Sequence, residues 1–97
     1  MTDVAATRLI VRGRVQGVGY RAWLAREAER RGLRGWVRNR RDGSVEALVF
    51  AAMPALDDFL AACRIGPAAA DVTELLARDE AVPAADAFGD FAIWPTA

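Results

Sequence analysis

Gly35-Trp-Val-Arg-Asn39-Arg-Arg-Asp42-Gly43-Ser44-Val45-Glu-Ala-Leu-Val-Phe50 places two strand-like runs, Gly35–Asn39 and Val45–Phe50, on either side of a polar turn. Asp-Gly between apolar runs is a strong hairpin signal, because both residues tolerate the positive φ that a tight turn demands. The two runs are therefore expected to be antiparallel neighbours. Upstream, Thr7–Arg12 (TRLIVR) is apolar and β-branched at its centre, as in a buried strand, with Gly13 marking its end. From Tyr20 to Arg31 the residues Tyr20, Trp23, Leu24 and Ala28 recur at helical spacing, Arg26, Glu27, Glu29 and Arg30 take the opposite face, and Gly32 stands ready to cap. Downstream, Pro54 suits the first turn of a second helix with Leu56, Phe59, Leu60 and Cys63 on one face, stopped by Gly66-Pro67. Asp71–Arg78 reads as a strand, Glu80–Asp90 as a loop rich in Ala, Pro and Asp, and Phe91–Trp94 as a short final strand. The order βαββαβ predicts a ferredoxin-like α+β sandwich: an antiparallel sheet with two helices on one face and a short C-terminal strand.

Composition narrows what such a fold could do. With 97 residues there is room for one domain, taken as residues 1–97. No apolar run approaches the roughly 18 residues of a membrane span, so a soluble protein with no membrane partner is expected. Met1-Thr2-Asp3-Val4 lacks a basic start and apolar core, which leaves the cytoplasm as the expected location. Cys63 is the only cysteine and histidine is absent, so neither a disulfide nor a transition-metal site is expected. The same absence removes histidine from proton transfer. Residues 1–50 carry 11 Arg against 5 acids and residues 51–97 carry 2 against 8, a polarity of +6 and −6 within a neutral chain. All 13 basic residues are Arg, which together with 21 Ala fits a bias of composition better than a functional signal.

Between the first strand and the first helix lies Gly13-Arg14-Val15-Gln16-Gly17-Val18-Gly19. Glycines let a backbone turn tightly and aim successive N–H groups at one spot, and the helix that follows adds its unpaired N–H groups and positive dipole end. Arg21 falls in that first turn. A cation there is disfavoured by roughly 0.3–1 kcal/mol unless an anion lies between it and the dipole. Two readings stand at this point: a phosphate cradle, or a plain glycine turn beside a solvated arginine. A Walker A loop is excluded because the chain has no Lys. Gly17-Val18-Gly19-Tyr20-Arg21-Ala22 matches a dinucleotide pattern, but the chain is too short for two mononucleotide-binding halves and the hairpin contradicts a parallel sheet.

Two longer segments are more specific. Val11-Arg-Gly-Arg-Val-Gln-Gly-Val-Gly-Tyr-Arg21 and Gly35-Trp-Val-Arg-Asn39-Arg-Arg-Asp-Gly-Ser-Val-Glu46 closely resemble the two signature segments of the acylphosphatase family, and Cys63-Arg-Ile-Gly-Pro67 through Val72 resembles its weaker downstream pattern. Tyr20 stands where the family usually has Phe, and Gly19 makes the loop more flexible than a bulkier residue would. The resemblance implies a ferredoxin-like fold, no cofactor, hydrolysis of carboxyl-phosphate anhydrides, and Arg21 and Asn39 as the catalytic residues.

The residues present suit that chemistry. An acyl phosphate expels a carboxylate whose conjugate acid has a pKa of about 4, so the leaving group departs without a proton. In the expected mechanism the amides of Val15, Gln16, Gly17, Val18, Gly19 and Tyr20, with the Arg21 guanidinium, hold the phosphoryl oxygens of a small acyl phosphate. Asn39 orients the attacking water; its competing role is that of a turn or edge-strand residue bonding its own backbone. Trp23 and Trp36 are expected to pack in the core or on the sheet, Cys63 to be a buried small hydrophobe, Asp42 to serve the turn and Glu46 to pair with a neighbouring Arg. The rival class is a non-enzymatic phospholigand or nucleic-acid binding module, suggested by Arg26, Arg30, Arg31, Arg34, Arg38, Arg40 and Arg41. Against it, the first strand offers no aromatic for base stacking and the third only Phe50, so no nucleic-acid partner is expected. The chain is expected to act as a monomer.

Overall fold

The computed structural model of the chain describes residues 4–82 and 90–97. The first three residues, and with them most of the N-terminal segment read above for a leader, lie outside the described residues. So do residues 83–89 of the expected Glu80–Asp90 loop.

The elements run β1 (Val4–Arg14), α1 (Tyr20–Arg30), β2 (Arg34–Asn39), β3 (Val45–Phe50), α2 (Ala55–Ile65), β4 (Asp71–Val82) and β5 (Phe91–Ile93). Asp42-Gly43 closes the β2–β3 hairpin, with Arg38 opposite Glu46 and Asn39 opposite Val45. Asp42 Oδ1 accepts hydrogen bonds from the Ser44 hydroxyl at 2.6 Å and the Ser44 N–H at 2.9 Å, which hold its carboxyl below the usual range. The α1 helix ends in a Schellman motif around Gly32 (φ 71°): the Leu33 N–H reaches the Ala28 carbonyl at 2.9 Å and the Gly32 N–H that of Glu29 at 3.0 Å.

The sheet order is β4-β1-β3-β2-β5. Four strands are antiparallel as expected, but β5 lies parallel to β2, with Gly35 opposite Phe91, so the sheet is mixed rather than purely antiparallel. Two strands outrun their expected ends for one reason. The β1–β4 ladder extends to Val4↔Val82, carrying Glu80–Val82 into a strand despite their loop-like composition. Gly13 does not stop β1. It sits at a bulge after Arg12, with φ 118°, where a Cβ would come within 2.2 Å of the Asp71 carbonyl oxygen. Pro54 immediately precedes α2 rather than lying in its first turn.

Alternation along the strands separates two apolar layers. Leu9, Val11, Val37, Val45, Ala47 and Val49 face α1 and α2 and join Tyr20, Leu24, Ala28, Phe59, Leu60 and Cys63 in the main core. On the other face Ala6, Trp36, Leu48 and Phe50 form a smaller cluster. Asn39, two residues beyond Val37, falls on the helix side by the same alternation, which points it toward the start of α1.

Candidate active site

Where β1 hands over to α1, the chain must reverse without regular structure. Gly17 and Gly19 take left-handed conformations, with φ 74° and 80°, and nothing lies within 4 Å of where a Cβ would sit on either. Backbone conformation, not space, selects glycine at both positions. Val15 is fully buried and Val18 half-buried against the main core, so apolar side chains pin the loop from inside. Among the described residues, none of the N–H groups of residues 16–19 donates a main-chain hydrogen bond. The α1 helix starts on Gly19 with no side-chain cap and no acidic residue in its first turn. The loop thus presents a run of unspent donors at the positive end of a helix dipole.

Arg21 and Asn39 meet at this place. Together with Gly17, Gly19 and Ala22 they line a cleft of about 200 Å³. Arg21 is half-buried and enters no ion pair among the described residues, in contrast to Arg8, Arg12, Arg30, Arg31 and Arg38, which all pair with glutamates. The Asn39 Oδ1 is buried without a hydrogen-bond partner. Leaving a buried acceptor unpaired costs about 1–3 kcal/mol, and at the cleft wall a donor from water or a ligand can satisfy it. Asn39 lies in β2 paired with Val45, and among the described residues its Oδ1 accepts from no backbone donor. A larger hollow of about 490 Å³ near Glu29, Arg34 and Asp90 mixes acceptors with its one cation and offers no donor-only surface for an anion.

The remaining loop residues take two roles. Of the residues expected to hold phosphate, Gly17, Gly19 and Arg21 line the cleft and Val15, Gln16, Val18 and Tyr20 do not. Tyr20 is fully buried and its hydroxyl donates to the Cys63 carbonyl at 2.7 Å. Ala22 is a lining residue that sequence reasoning did not single out; its signal was its place in the first turn beside Arg21. Among the described residues, no group of three or more His, Cys, Asp or Glu side chains is placed to hold a metal ion.

Of the seven arginines that suggested a nucleic-acid surface, three are held in ion pairs. Arg30 and Arg31 are tied to Glu27, Arg38 to Glu46, and Arg40 and Arg41 lie at the hairpin. Two tryptophans on the open sheet face escaped the sequence search for stacking aromatics. Trp36 is 4% exposed and stacks on Trp94 at 4.3 Å between centroids, with the Arg8 and Arg38 guanidinium carbons 5.6 and 5.0 Å from its centroid. Its faces are already occupied.

The chain matches the Acylphosphatase family model over residues 7–93. It is 57% identical over 72 residues to an acylphosphatase of Rhodopseudomonas palustris (strain BisB5), covering 74% of this chain and 73% of that one. With an acylphosphatase of Acidiphilium cryptum (strain JF-5) it shares 51% identity over 83 residues, 86% of this chain and 91% of that one. The fold superposes on the crystal structure of acylphosphatase from Bacillus subtilis with a TM-score of 0.84 at 37% identity, covering 94% of this chain and 99% of that one. No helix among the described residues is long and apolar enough to cross a membrane.

Proposed function

The chain belongs to the acylphosphatase family, and we propose that Arg21, Asn39 and the 15–20 loop share out the hydrolysis of an acyl phosphate as follows. It is an enzyme of that family, acting on acyl phosphates. The amides of Val15, Gln16, Gly17, Val18, Gly19 and Tyr20 cradle the phosphoryl oxygens, and the Arg21 guanidinium grips two of them through its planar fork. Asn39 accepts a hydrogen bond from water through Oδ1 and turns the water's lone pair toward phosphorus.

Water oxygen bonds to phosphorus as the bond to the acyl oxygen breaks in line. The carboxylate leaves with the electron pair, and the water proton ends on a phosphoryl oxygen, giving inorganic phosphate. An amide is too weak a base to take that proton, so Asn39 contributes orientation alone. Charge spread over the phosphoryl oxygens in the transition state is stabilised by donors that need no reorganisation. The carboxylate leaving group needs no acid, which matches a chain without histidine.

The observation that carries this reading is the unpaired Arg21 and the unpartnered Asn39 Oδ1 in one cleft with Gly17 and Gly19. The acting unit is a single domain of residues 1–97, working as a monomer in the cytoplasm without a cofactor or nucleic-acid partner; one chain supplies every group named above. Steady-state hydrolysis of an aryl-carboxyl phosphate by Arg21→Ala tests it. A folded variant should lose about 10³-fold or more in kcat/KM. Near-parental turnover would end the assignment.

A further inference from the structure

Gln16 is the one polar side chain among residues 15–19, between β1 and α1, and it does not line the cleft. Its Nε2 donates to the Arg40 carbonyl at 2.7 Å and to the Ser44 carbonyl at 2.8 Å, the two main-chain oxygens that flank the hairpin turn just past Asn39. Both acceptors are carbonyls, so only the amide nitrogen can face them. The hairpin does not need these bonds to close. The Gly43 N–H already reaches the Arg40 carbonyl at 3.1 Å, the Arg40 N–H reaches the Ser44 carbonyl at 2.8 Å, and Asp42 holds Ser44. The loop has far less of its own, since no main-chain hydrogen bond uses the N–H groups of residues 16–19 among the described residues.

We infer that Gln16 is a positioning residue: its side-chain amide clamps the phosphate-holding loop to the hairpin that carries Asn39, and so fixes the line from water through phosphorus to leaving group. The inference rests on the roles proposed above for the loop and Asn39, and it assigns the Gln16 side chain a task separate from that of its main-chain N–H. Phosphate and water are held by segments far apart in sequence, and among the described residues the two Gln16 hydrogen bonds are the polar side-chain link between them. In-line displacement is sensitive to such registration: a misplacement of about 1 Å can cost roughly 10²-fold in rate. Holding the phosphoryl group in the ground state needs only the loop amides and Arg21, which stay together when the clamp is cut.

The test is Gln16→Met, which keeps length and removes both donors. The expected result is a kcat lower by roughly 10²-fold with the inhibition constant of inorganic phosphate within about twofold of the parent. In an Asn39→Ala background the same substitution should cost no more than about twofold, because the alignment it serves is already gone. Equal losses in both backgrounds, or a loss carried by weaker phosphate inhibition, would overturn the proposal. Backbone amide order parameters from NMR relaxation at residues 17–20 read the clamp without turnover and in any variant that folds, including the milder Gln16→Asn: they should fall there and stay unchanged in β1 and β3. Unchanged loop order overturns the clamp whether or not the enzyme is active. Lower loop order in a protein whose parent hydrolyses no acyl phosphate sinks the hydrolase reading instead, and the positioning role with it.

Discussion

Glu46→Gln isolates what the open face of the sheet contributes to stability from what the cleft contributes to catalysis. Glu46 lies mid-sheet on β3 with its side chain 8% exposed; Oε2 accepts from Arg8 Nη1 at 2.6 Å and Oε1 from Arg38 Nε at 2.8 Å. Burial alone would raise its pKa, but the hydrogen bonds and charges of Arg38 and Arg8 outweigh burial and hold it below the usual carboxylate range. Glutamine preserves the volume, yet its Nε2 must face one of the arginines, donor against donor. A charge-assisted hydrogen bond contributes about 1.5–3 kcal/mol, and breaking a fully buried pair costs about 3–5. Arg8 and Arg38 retain 23% and 28% exposure, and Arg8 keeps Glu80 at 2.8 Å, so solvent and the second carboxylate absorb part of the loss. The expected cost is about 2 kcal/mol, or roughly 8–16 °C in Tm for a domain of this size.

The sign of the pH dependence follows from the lowered pKa. Stabilisation by Glu46 is fully present above the unfolded carboxyl pKa of about 4.3 and is lost as pH falls through the lower folded value. Thermal denaturation followed by circular dichroism should therefore show a constant gap between parent and variant from pH 6 to 8 that closes in acid. Turnover at 25 °C should stay within about twofold, because Glu46 faces away from the helix side where the cleft lies. Equal Tm values at neutral pH, or a gap that persists undiminished at pH 3, would refute the reasoning.

Gly19→Ala should cost about 1–2 kcal/mol of stability through its left-handed backbone and lower kcat as the cradle shifts; Gly32→Ala, equally left-handed and equally open, should match the stability loss and leave kcat alone, read by paired melts and kinetics. Tyr20→Phe removes the 2.7 Å hydrogen bond to the Cys63 carbonyl, which should lower stability by about 1 kcal/mol and Tm by roughly 4–8 °C with turnover unchanged. A Tyr20→Phe protein that melts with the parent would show that the hydroxyl adds nothing.

Much of this molecule was legible from local chemistry. The α1 helix, its Gly32 cap and the Asp42-Gly43 hairpin follow from residues that are near one another in sequence, and the structure places them within a residue of expectation. Strand pairing across the chain was not legible. Glu80–Val82 reads as loop by composition, but a ladder to Val4 overrides it, and nothing within Phe91–Ile93 announces that it will lie parallel to β2. At the site, Arg21 and Asn39 could be named from motifs. The Gln16 clamp could not, because its acceptors are backbone carbonyls whose positions exist only once the hairpin has folded. Trp36 was read as a packing residue and is one, though on the open face of the sheet, where its partner Trp94 arrives only through β5.

The most direct test of the central claim is turnover of an aryl-carboxyl phosphate by folded Asn39→Ala, measured beside its inhibition by inorganic phosphate. If Oδ1 orients the attacking water while the loop and Arg21 hold the phosphoryl group, kcat should fall by about 10²–10³-fold and phosphate inhibition should stay within about twofold. Parental turnover, or a loss that appears only as weaker phosphate binding, would contradict the account.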